Sequence, residues 1–383
     1  MPRVLTFLVI SGTFVAMGAL YGIQPLLPLL GRAFQVSETA SASLITWSLI
    51  AMSVGPLISG WAMQHMAPRR LLRLCLLLLG LSELVFATGA AFWVLKLIRL
   101  VEGLLISGLL AATMTYITLV STHVRQTMGY YVASSVAGGL CGRIVAGYIS
   151  QAIAWPAYFV LLGTVTVLVG LLTSRLPAEP ARNLDLPRRG SLHGYLDTLR
   201  HPRLLRMYGI VFAGFFAMTG ILNYMPFRLE SLDHSIGEGR ISLYYLGFLV
   251  GLVISSNAPR VSEWLGGVWP TVVTSLLVMV AGALIASLPA VAALFVAVTM
   301  ITSGFFLMHA VIAASVSDGT GIDPATVNGM YIAIYYIGGA AGSYLPGLVF
   351  VHAGWPAFLV LLGTLLVTGL LLTLSVRSRL AGA

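Results

Sequence analysis

The sequence predicts an all-α membrane protein: twelve transmembrane helices arranged as two pseudo-symmetric six-helix bundles. Three observations carry that prediction. The first is composition, with 58% of residues apolar and 9% charged, against roughly a quarter charged in a soluble domain. The second is the length of the apolar runs. A ~30 Å hydrocarbon layer needs about 20 apolar residues per helix, and twelve such runs follow one another along the 383 residues. The third is a repeat at an offset of 200. Gly129, Tyr131, Gly138, Gly139, Gly142 and Gly147 recur as Gly329, Tyr331, Gly338, Gly339, Gly342 and Gly347, and Trp155-Pro156-Ala157 returns as Trp355-Pro356-Ala357.

The predicted spans run over about 4 to 30, 42 to 63, 71 to 93, 94 to 119, 128 to 150 and 155 to 175. They continue over about 205 to 228, 241 to 259, 268 to 288, 290 to 315, 328 to 351 and 354 to 376. The first run follows Arg3 and contains Gln24, Pro25 and Pro28 in place of a small-residue cleavage site, so it reads as span 1 and not as a signal peptide. Residues 1–175 form the N-terminal bundle, 176–204 a cytoplasmic linker and 205–383 the C-terminal bundle. Pro177, Pro180 and Pro187 punctuate the linker, and Ser191 to Arg200 reads as a short helix lying on the membrane surface, with Leu192, Tyr195 and Leu199 on one side.

The net charge of +9 has a topological cause. Arg69, Arg70, Arg73, Arg125, Arg175, Arg182, Arg188, Arg189, Arg200, Arg203, Arg206, Arg260, Arg377 and Arg379 fall at alternate loops and the C-terminus, on the side of Arg3. The opposite loops hold only Arg32, Lys96, Arg228 and Arg240, which places both termini in the cytoplasm. The two cysteines, Cys75 and Cys141, form no disulfide framework and no metal-ligand spacing. No nucleophile, nucleotide or metal motif appears, so the chain reads as neither an enzyme nor a cofactor protein, and its charge does not call for nucleic acid.

Span 1 ends in Gln24-Pro25-Leu26-Leu27-Pro28 and span 7 in Asn223-Tyr224-Met225-Pro226. A proline removes a backbone donor, and in lipid the freed carbonyl needs a partner in protein or in a wet cavity. Both outer ends are therefore expected to line an aqueous pathway. Between spans 2 and 3 lies Gly60-Trp61-Ala62-Met63-Gln64-His65-Met66-Ala67-Pro68-Arg69-Arg70, and after span 8 lies Arg260-Val261-Ser262-Glu263-Trp264-Leu265-Gly266. These resemble the cytoplasmic loop signature of the major facilitator superfamily. Gln64 stands where the family has an acid, His65 where it has arginine and Ala67 where it has a second glycine; Glu263 and Gly266 keep the acid and the glycine in the second copy.

Gly129, Gly138, Gly142, Arg143, Ala146 and Gly147 resemble the helix 5 signature of proton-coupled antiporters in that superfamily, with Arg143 in the proline position and Ala146 in a glycine position. The end of span 1, the Gly138-to-Arg143 core and Gly304-Phe305-Phe306 to His309 resemble the YnfM type of bacterial inner-membrane exporter. The resemblance covers essentially the whole chain and implies alternating access through a cavity between two halves. It also implies a bacterial inner-membrane location, a small-molecule substrate, protons and the lipid bilayer as partners, no cofactor, and action as a monomer.

Ionisable residues inside a membrane are costly, by about 2.5 to 3.5 kcal/mol on insertion scales, so each is a candidate site. Glu83, Arg99, Glu102, Arg143 and His309 fall within spans. Counting from the outer boundary at ~1.5 Å per residue brings Glu102 and Arg143 to similar depth, within range to pair, while Arg99, one turn from Glu102, can share its carboxylate. Arg99 followed by Gly103 also resembles the superfamily's helix 4 signature, in which the arginine is tied to proton transfer. Either Glu102 takes a proton when its arginine is displaced, or the pair is a permanent clamp. Glu83 is either the proton carrier in place of Glu102, if it faces span 2 or 4, or a residue turned to lipid.

Tyr21, Gln24, Tyr116, Asn223, Tyr224, His309 and Tyr335 are the expected cavity-lining residues, and Tyr331 and Tyr336 fall on the same helices; His309 is alternatively a buried histidine satisfied by a carbonyl. Gly138, Gly142, Gly147, Gly338, Gly342 and Gly347 are expected to form close-packing faces that act as a hinge and sliding surface. The function expected is secondary active export of a drug-like molecule, sugar or metabolite by proton antiport. An uptake symporter or facilitator of the same fold, and a membrane receptor that no longer transports, are the alternatives.

Overall fold

The computed structural model describes residues 3–179 and 192–380, and among them every regular element is helical. Pro180, Pro187, Arg182, Arg188, Arg189 and Ser191 lie outside the described residues. Ten helices are long and apolar enough to cross a membrane. One of these, Pro324–Leu380, bends at Gly354 (φ 77°) and supplies spans 11 and 12. Span 3, Pro68–Phe86, has the length but carries Arg69, Arg70 and Arg73 in its first turns, and with it the count is twelve.

Span 1 is broken. The α-helix Arg3–Tyr21 gives way to a 3-10 turn at Gln24–Leu26 and resumes over Leu27–Phe34. Pro25 has no N–H to give the preceding turn, which ends the first helix there. Spans 2, 4, 5 and 6 are Glu38–His65, Phe92–Val120, Val124–Ala152 and Trp155–Leu172. Span 7, Pro202–Leu232, stays continuous through Pro226. Span 8 is interrupted, as Glu238–Leu243, a 3-10 stretch Tyr244–Gly247, and Phe248–Ser256. Spans 9 and 10 are Val268–Ile285 and Val291–Ser315. In the linker, Leu192–Arg200 is helical; it turns Thr198 inward and brings the Tyr195 hydroxyl toward Gly329, whereas Leu199 is exposed.

The chain divides into two compact units. The first takes the chain to Val36, resumes at Ser43 up to the linker, and adds Gly237–Leu243. The second takes Ser37–Ala42, the chain from the linker to Ile236, and everything from Tyr244 onward. The 3-10 stretch in span 8 begins at the residue where that helix changes unit. Two short segments thus belong to the unit opposite their sequence neighbours.

Helices in lipid gain little from apolar burial and associate where small residues let backbones meet. A Cβ on Gly138 would strike the Phe14 backbone, and one on Gly142 the Gly18 backbone, so span 5 is seated on span 1. Gly338 and Gly342 seat span 11 on span 7 at Phe212 and Phe216 in the same way. These close approaches lie inside each unit, and they serve its internal packing where a sliding seam was expected. Gly147 differs from them, because its missing side chain makes room for Glu238 and Ser242 of the crossing segment. Gln151 accepts the Gly239 N–H at 2.9 Å there, and Arg32 pairs with Glu238 at 3.3 Å. Each unit closes one end with matching aromatics: Trp155 with Phe86 and Phe159 in the first, Trp355 with Phe350 and Phe358 in the second.

Candidate functional site

Span 4 carries Arg99 and Glu102 on one face. A side chain on Gly103 would collide with the Ser48 backbone, so spans 2 and 4 touch at main-chain level, and Ser48 Oγ donates to the Arg99 carbonyl at 2.9 Å. Arg99 is fully enclosed at this crossing. Its guanidinium donates to Glu102 Oε2 at 2.6 Å, to the carbonyls of Ala19 and Leu20 at 3.0 and 2.8 Å, and through Nε to the Leu44 carbonyl at 3.2 Å. The Ala19 and Leu20 carbonyls close the first helix of span 1, where a helix end leaves acceptors unpaired. The break at Pro25 therefore finds its partner in protein: the arginine fork both neutralises Glu102 and caps the broken helix.

Glu102 Oε1 accepts from Ser82 Oγ of span 3 at 3.2 Å. Two residues earlier on span 3, Gly80 meets the Gly163 carbonyl of span 6, 2.7 Å from where a Cβ would sit. That contact carries Glu83 into the same interior, where it is wholly buried and both carboxyl oxygens have no hydrogen-bond partner. Tyr158 of span 6 donates to the Gly18 carbonyl at 2.9 Å and lies within electrostatic reach of Glu83, Glu102, Arg99 and Arg143.

Arg143, 2% exposed, donates from Nε to Gln24 Oε1 at 2.7 Å and from Nη1 to the Gly139 carbonyl at 2.8 Å. Its guanidinium stands 4.5 Å from the centre of the Tyr21 ring, a cation–π distance. The Glu102–Arg143 pair does not form. Similar depth says nothing of which way each side chain points: Arg99 takes the carboxylate from one turn away, and Arg143 turns to the broken end of span 1. Tyr21 and Gln24 are thus partners of an interior cation.

In the second unit the counterpart interior is aromatic. His309 Nδ1 and the Tyr331 hydroxyl are 2.9 Å apart, so a side chain and not a carbonyl satisfies the histidine. Its ring stacks on Phe305 at 5.7 Å and faces Tyr335 at 5.0 Å, while Tyr335 stacks on Phe215 at 3.9 Å. Tyr335 and Tyr336 meet edge to face and both remain partly exposed. The carbonyl that Pro226 deprives of its donor, Leu222, accepts from the Tyr245 hydroxyl of span 8 at 2.9 Å. Here too the freed acceptor finds protein and not a wet pathway.

Other expected lining residues are placed elsewhere. Tyr116 is enclosed and its hydroxyl donates to the Pro177 carbonyl at the start of the linker. Tyr224 is enclosed among Phe227, Phe350 and Phe358, with its hydroxyl on the Ser343 carbonyl at 3.3 Å and against Gly347. Asn223 is fully buried beside it. Both tyrosines are large enough that the packing of their own unit consumes them.

At the cytoplasmic loop, Arg69 does the gripping. Its N–H donates to Glu179 Oε1 at 2.6 Å, its side chain lies 3.5 Å from Glu179 Oε2, and Nη1 reaches the Leu176 carbonyl. Glu179 thereby caps the N-terminus of span 3, where a carboxylate suits the helix dipole. Gly60 borders open space, and Gly266 takes a left-handed φ of 90° that favours glycine.

Sequence reasoning missed Tyr158, whose one signal was a mismatch with Phe358 in the repeated Trp-Pro-Ala segment. It also missed Ser82, Phe215, Tyr245 and Glu179, which carry no motif. A cleft of about 670 Å³ at the inner end of spans 1, 4 and 5 was missed as well; Thr6, Ser121, His123, Gln126 and Tyr130 line it.

Comparison with known proteins agrees with this architecture. The chain is 23% identical over 360 residues to the uncharacterized MFS-type transporter YybF of Bacillus subtilis, covering 92% of this chain and 88% of that one. It is 22% identical over 381 residues to the inner membrane transport protein YnfM of Escherichia coli, covering 98% and 91%. It is 23% identical over 369 residues to multidrug resistance protein 2 of B. subtilis, covering 91% and 89%. A crystal structure of a variant of the nucleoside transporter NupG shares the fold, with a TM-score of 0.77, 14% identity and coverage of 97% and 99%. Residues 9–342 match the Major Facilitator Superfamily, and with that match over most of twelve helices in two related halves, the chain belongs to the Major Facilitator Superfamily of membrane transporters.

Proposed function

We propose that this transporter exports a small organic compound from the bacterial cytoplasm by proton antiport, with alternating access of the two units. The observation that carries this reading is the interior of the first unit. Two carboxyls, Glu83 and Glu102, share the surroundings of Arg99, with Arg143 and Tyr158 beside them. Burying such a set in a membrane is costly, and a proton is the one ligand that changes its charge without needing space. The second unit supports the choice of an organic substrate, since partly exposed Tyr335, Tyr336 and His309 offer ring faces and hydrogen-bonding tips to one compound. The cleft around His123 and Gln126 supports loading from the cytoplasmic side.

Export is favoured over uptake by the spacing of Gly138, Gly142 and Gly147 and by a relative that is named for multidrug resistance. Arg143 in the proline position is what favours uptake symport as the second reading. The test uses everted membrane vesicles holding a pre-formed proton gradient and a panel of aromatic cations, sugars and nucleosides. Antiport predicts that at least one compound dissipates the gradient only when the protein is present, and that Glu102→Gln abolishes this. Dissipation that survives Glu102→Gln removes Glu102 from the mechanism, dissipation that also survives Glu83→Gln removes the cluster, and accumulation inside right-side-out vesicles driven by an inward proton gradient selects symport.

A further inference from the structure

Among the described residues, Glu83 is the buried carboxyl group whose two oxygens both lack a hydrogen-bond partner. It sits on span 3 with zero exposure. Every other charged group around it is engaged. From span 4, Arg99 gives its fork to Glu102 and three main-chain carbonyls. From its own helix, Ser82 serves Glu102 and not Glu83. From span 5, Arg143 is turned to Gln24 and Tyr21, and from span 6 the Tyr158 hydroxyl donates to Gly18. An ionised carboxylate with no donor in a dry interior is a large penalty, whereas the neutral acid costs only an unmade hydrogen bond.

We infer that Glu83, and not Glu102, is the group that carries the proton, and that Glu102 is the fixed anion that holds Arg99 on the broken end of span 1. The inference rests on the proton-coupled reading above and names the residue at which that coupling acts. Charge accounting gives the reason such a site releases its proton. With Glu83 neutral, the cluster of Arg99, Arg143 and Glu102 has a net charge of +1. When Glu83 gives its proton to water in an opened pathway, the cluster becomes two cations and two anions. Arg143 is therefore a positioning residue: a rearrangement that loosens it from Gln24 frees a cation for the new carboxylate, and return of the proton frees Arg143 again. Two like-sized carboxyls then have different duties because only one of them was given an arginine.

Infrared spectroscopy of the purified transporter tests this without a substrate. The chain has only twelve Asp and Glu residues, and among the described residues Glu83 and Glu102 are the two that are buried, so the carboxylic-acid C=O band of a buried acid is assignable. The expected result is one band at the frequency of an acid free of hydrogen bonds, shifted by Glu83→Asp and unmoved by Glu102→Asp. Its amplitude falls as pH is raised, and in Arg143→Gln it persists to higher pH. A band moved only by Glu102→Asp, a band at the hydrogen-bonded position, the absence of any band, or one that stays constant over the whole pH range of the folded protein overturns the assignment; constancy would mean a structural acid. Both Asp variants keep a carboxyl at each site, and loss of fold in either is replaced by isotope-edited labelling of glutamate in the unaltered chain. If the band behaves as expected while no compound in the vesicle screen moves protons, the proton site stands and the antiport reading fails.

Discussion

The two units descend from one repeat yet bury opposite chemistries, and corresponding positions make the contrast concrete. At the offset of 200, Arg99 and Glu102 correspond to Thr299 and Thr302, Arg143 to Ser343, Glu83 to Ala283 and Tyr158 to Phe358. Each hydroxyl on the second side bonds a carbonyl of its own helix: Thr299 to Phe295, Thr302 to Val298 and Ser343 to Ala340. The first unit thus spends its interior on cross-helix charge, while these three hydroxyls of the second each bond within their own helix and the space is filled with His309, Phe305, Phe215 and Tyr335. The paired prolines diverge in the same way. Pro25 breaks its helix and the acceptors there go to a cation; Pro226 leaves span 7 whole and its acceptor goes to Tyr245. A shared scaffold fixes where helices meet, and the few positions that differ decide which half carries charge.

That contrast predicts unequal sensitivity. Arg99→Ala leaves Glu102 unpaired and three carbonyls without their donor, and should destabilise the fold by about 3–5 kcal/mol; Thr299→Ala, its counterpart, should change stability by no more than about 0.5 kcal/mol. Thermal unfolding in detergent micelles compares them, and equal effects would break the asymmetry. Next come the shared glycines, where the halves should respond alike: Gly142→Leu and Gly342→Leu each force span 1 or span 7 away and should each cost about 1–3 kcal/mol or more, read by loss of monodisperse protein on heating. A large difference between them would show that one crossing yields. Tyr245→Phe orphans the Leu222 carbonyl and should cost about 1–3 kcal/mol, and thermal unfolding of Tyr245→Phe beside Tyr245→Thr tests whether a shorter hydroxyl restores any of it. The smallest effect belongs to Glu179→Gln, which keeps an acceptor for the Arg69 N–H and loses only a partly exposed ion pair. It should cost under about 1 kcal/mol and vanish in high salt, and a salt-independent loss would mean that the contact is more than electrostatic.

Much of the fold was legible because the bilayer admits few solutions. Apolar runs of spanning length, arginines at alternate loops and the offset repeat each act through a one-dimensional property, and they located twelve helices; that Pro25 breaks its helix while Pro226 does not was visible only in the structure. The candidate site was legible in membership only. Glu83, Arg99, Glu102, Arg143 and His309 were visible as charges out of place in an apolar chain, but depth along a helix does not give azimuth. That is why Arg143 could be matched to Glu102 by depth, and why Tyr116 and Tyr224 were expected to face a cavity. Tyr158 and Tyr245 lack any pattern of their own, since a tyrosine is ordinary in either setting until a carbonyl is brought to its hydroxyl.

The sequence by itself determined that this is a two-fold repeated helical transporter with its interior charges in the first half, because composition, period and repeat survive without three-dimensional contact. Only the tertiary structure decided the partners. The backbone contacts at Gly103 and Gly80 bring spans 3 and 4 so close to spans 2 and 6 that one arginine can saturate Glu102 and the end of span 1, and that same economy leaves Glu83 with no donor.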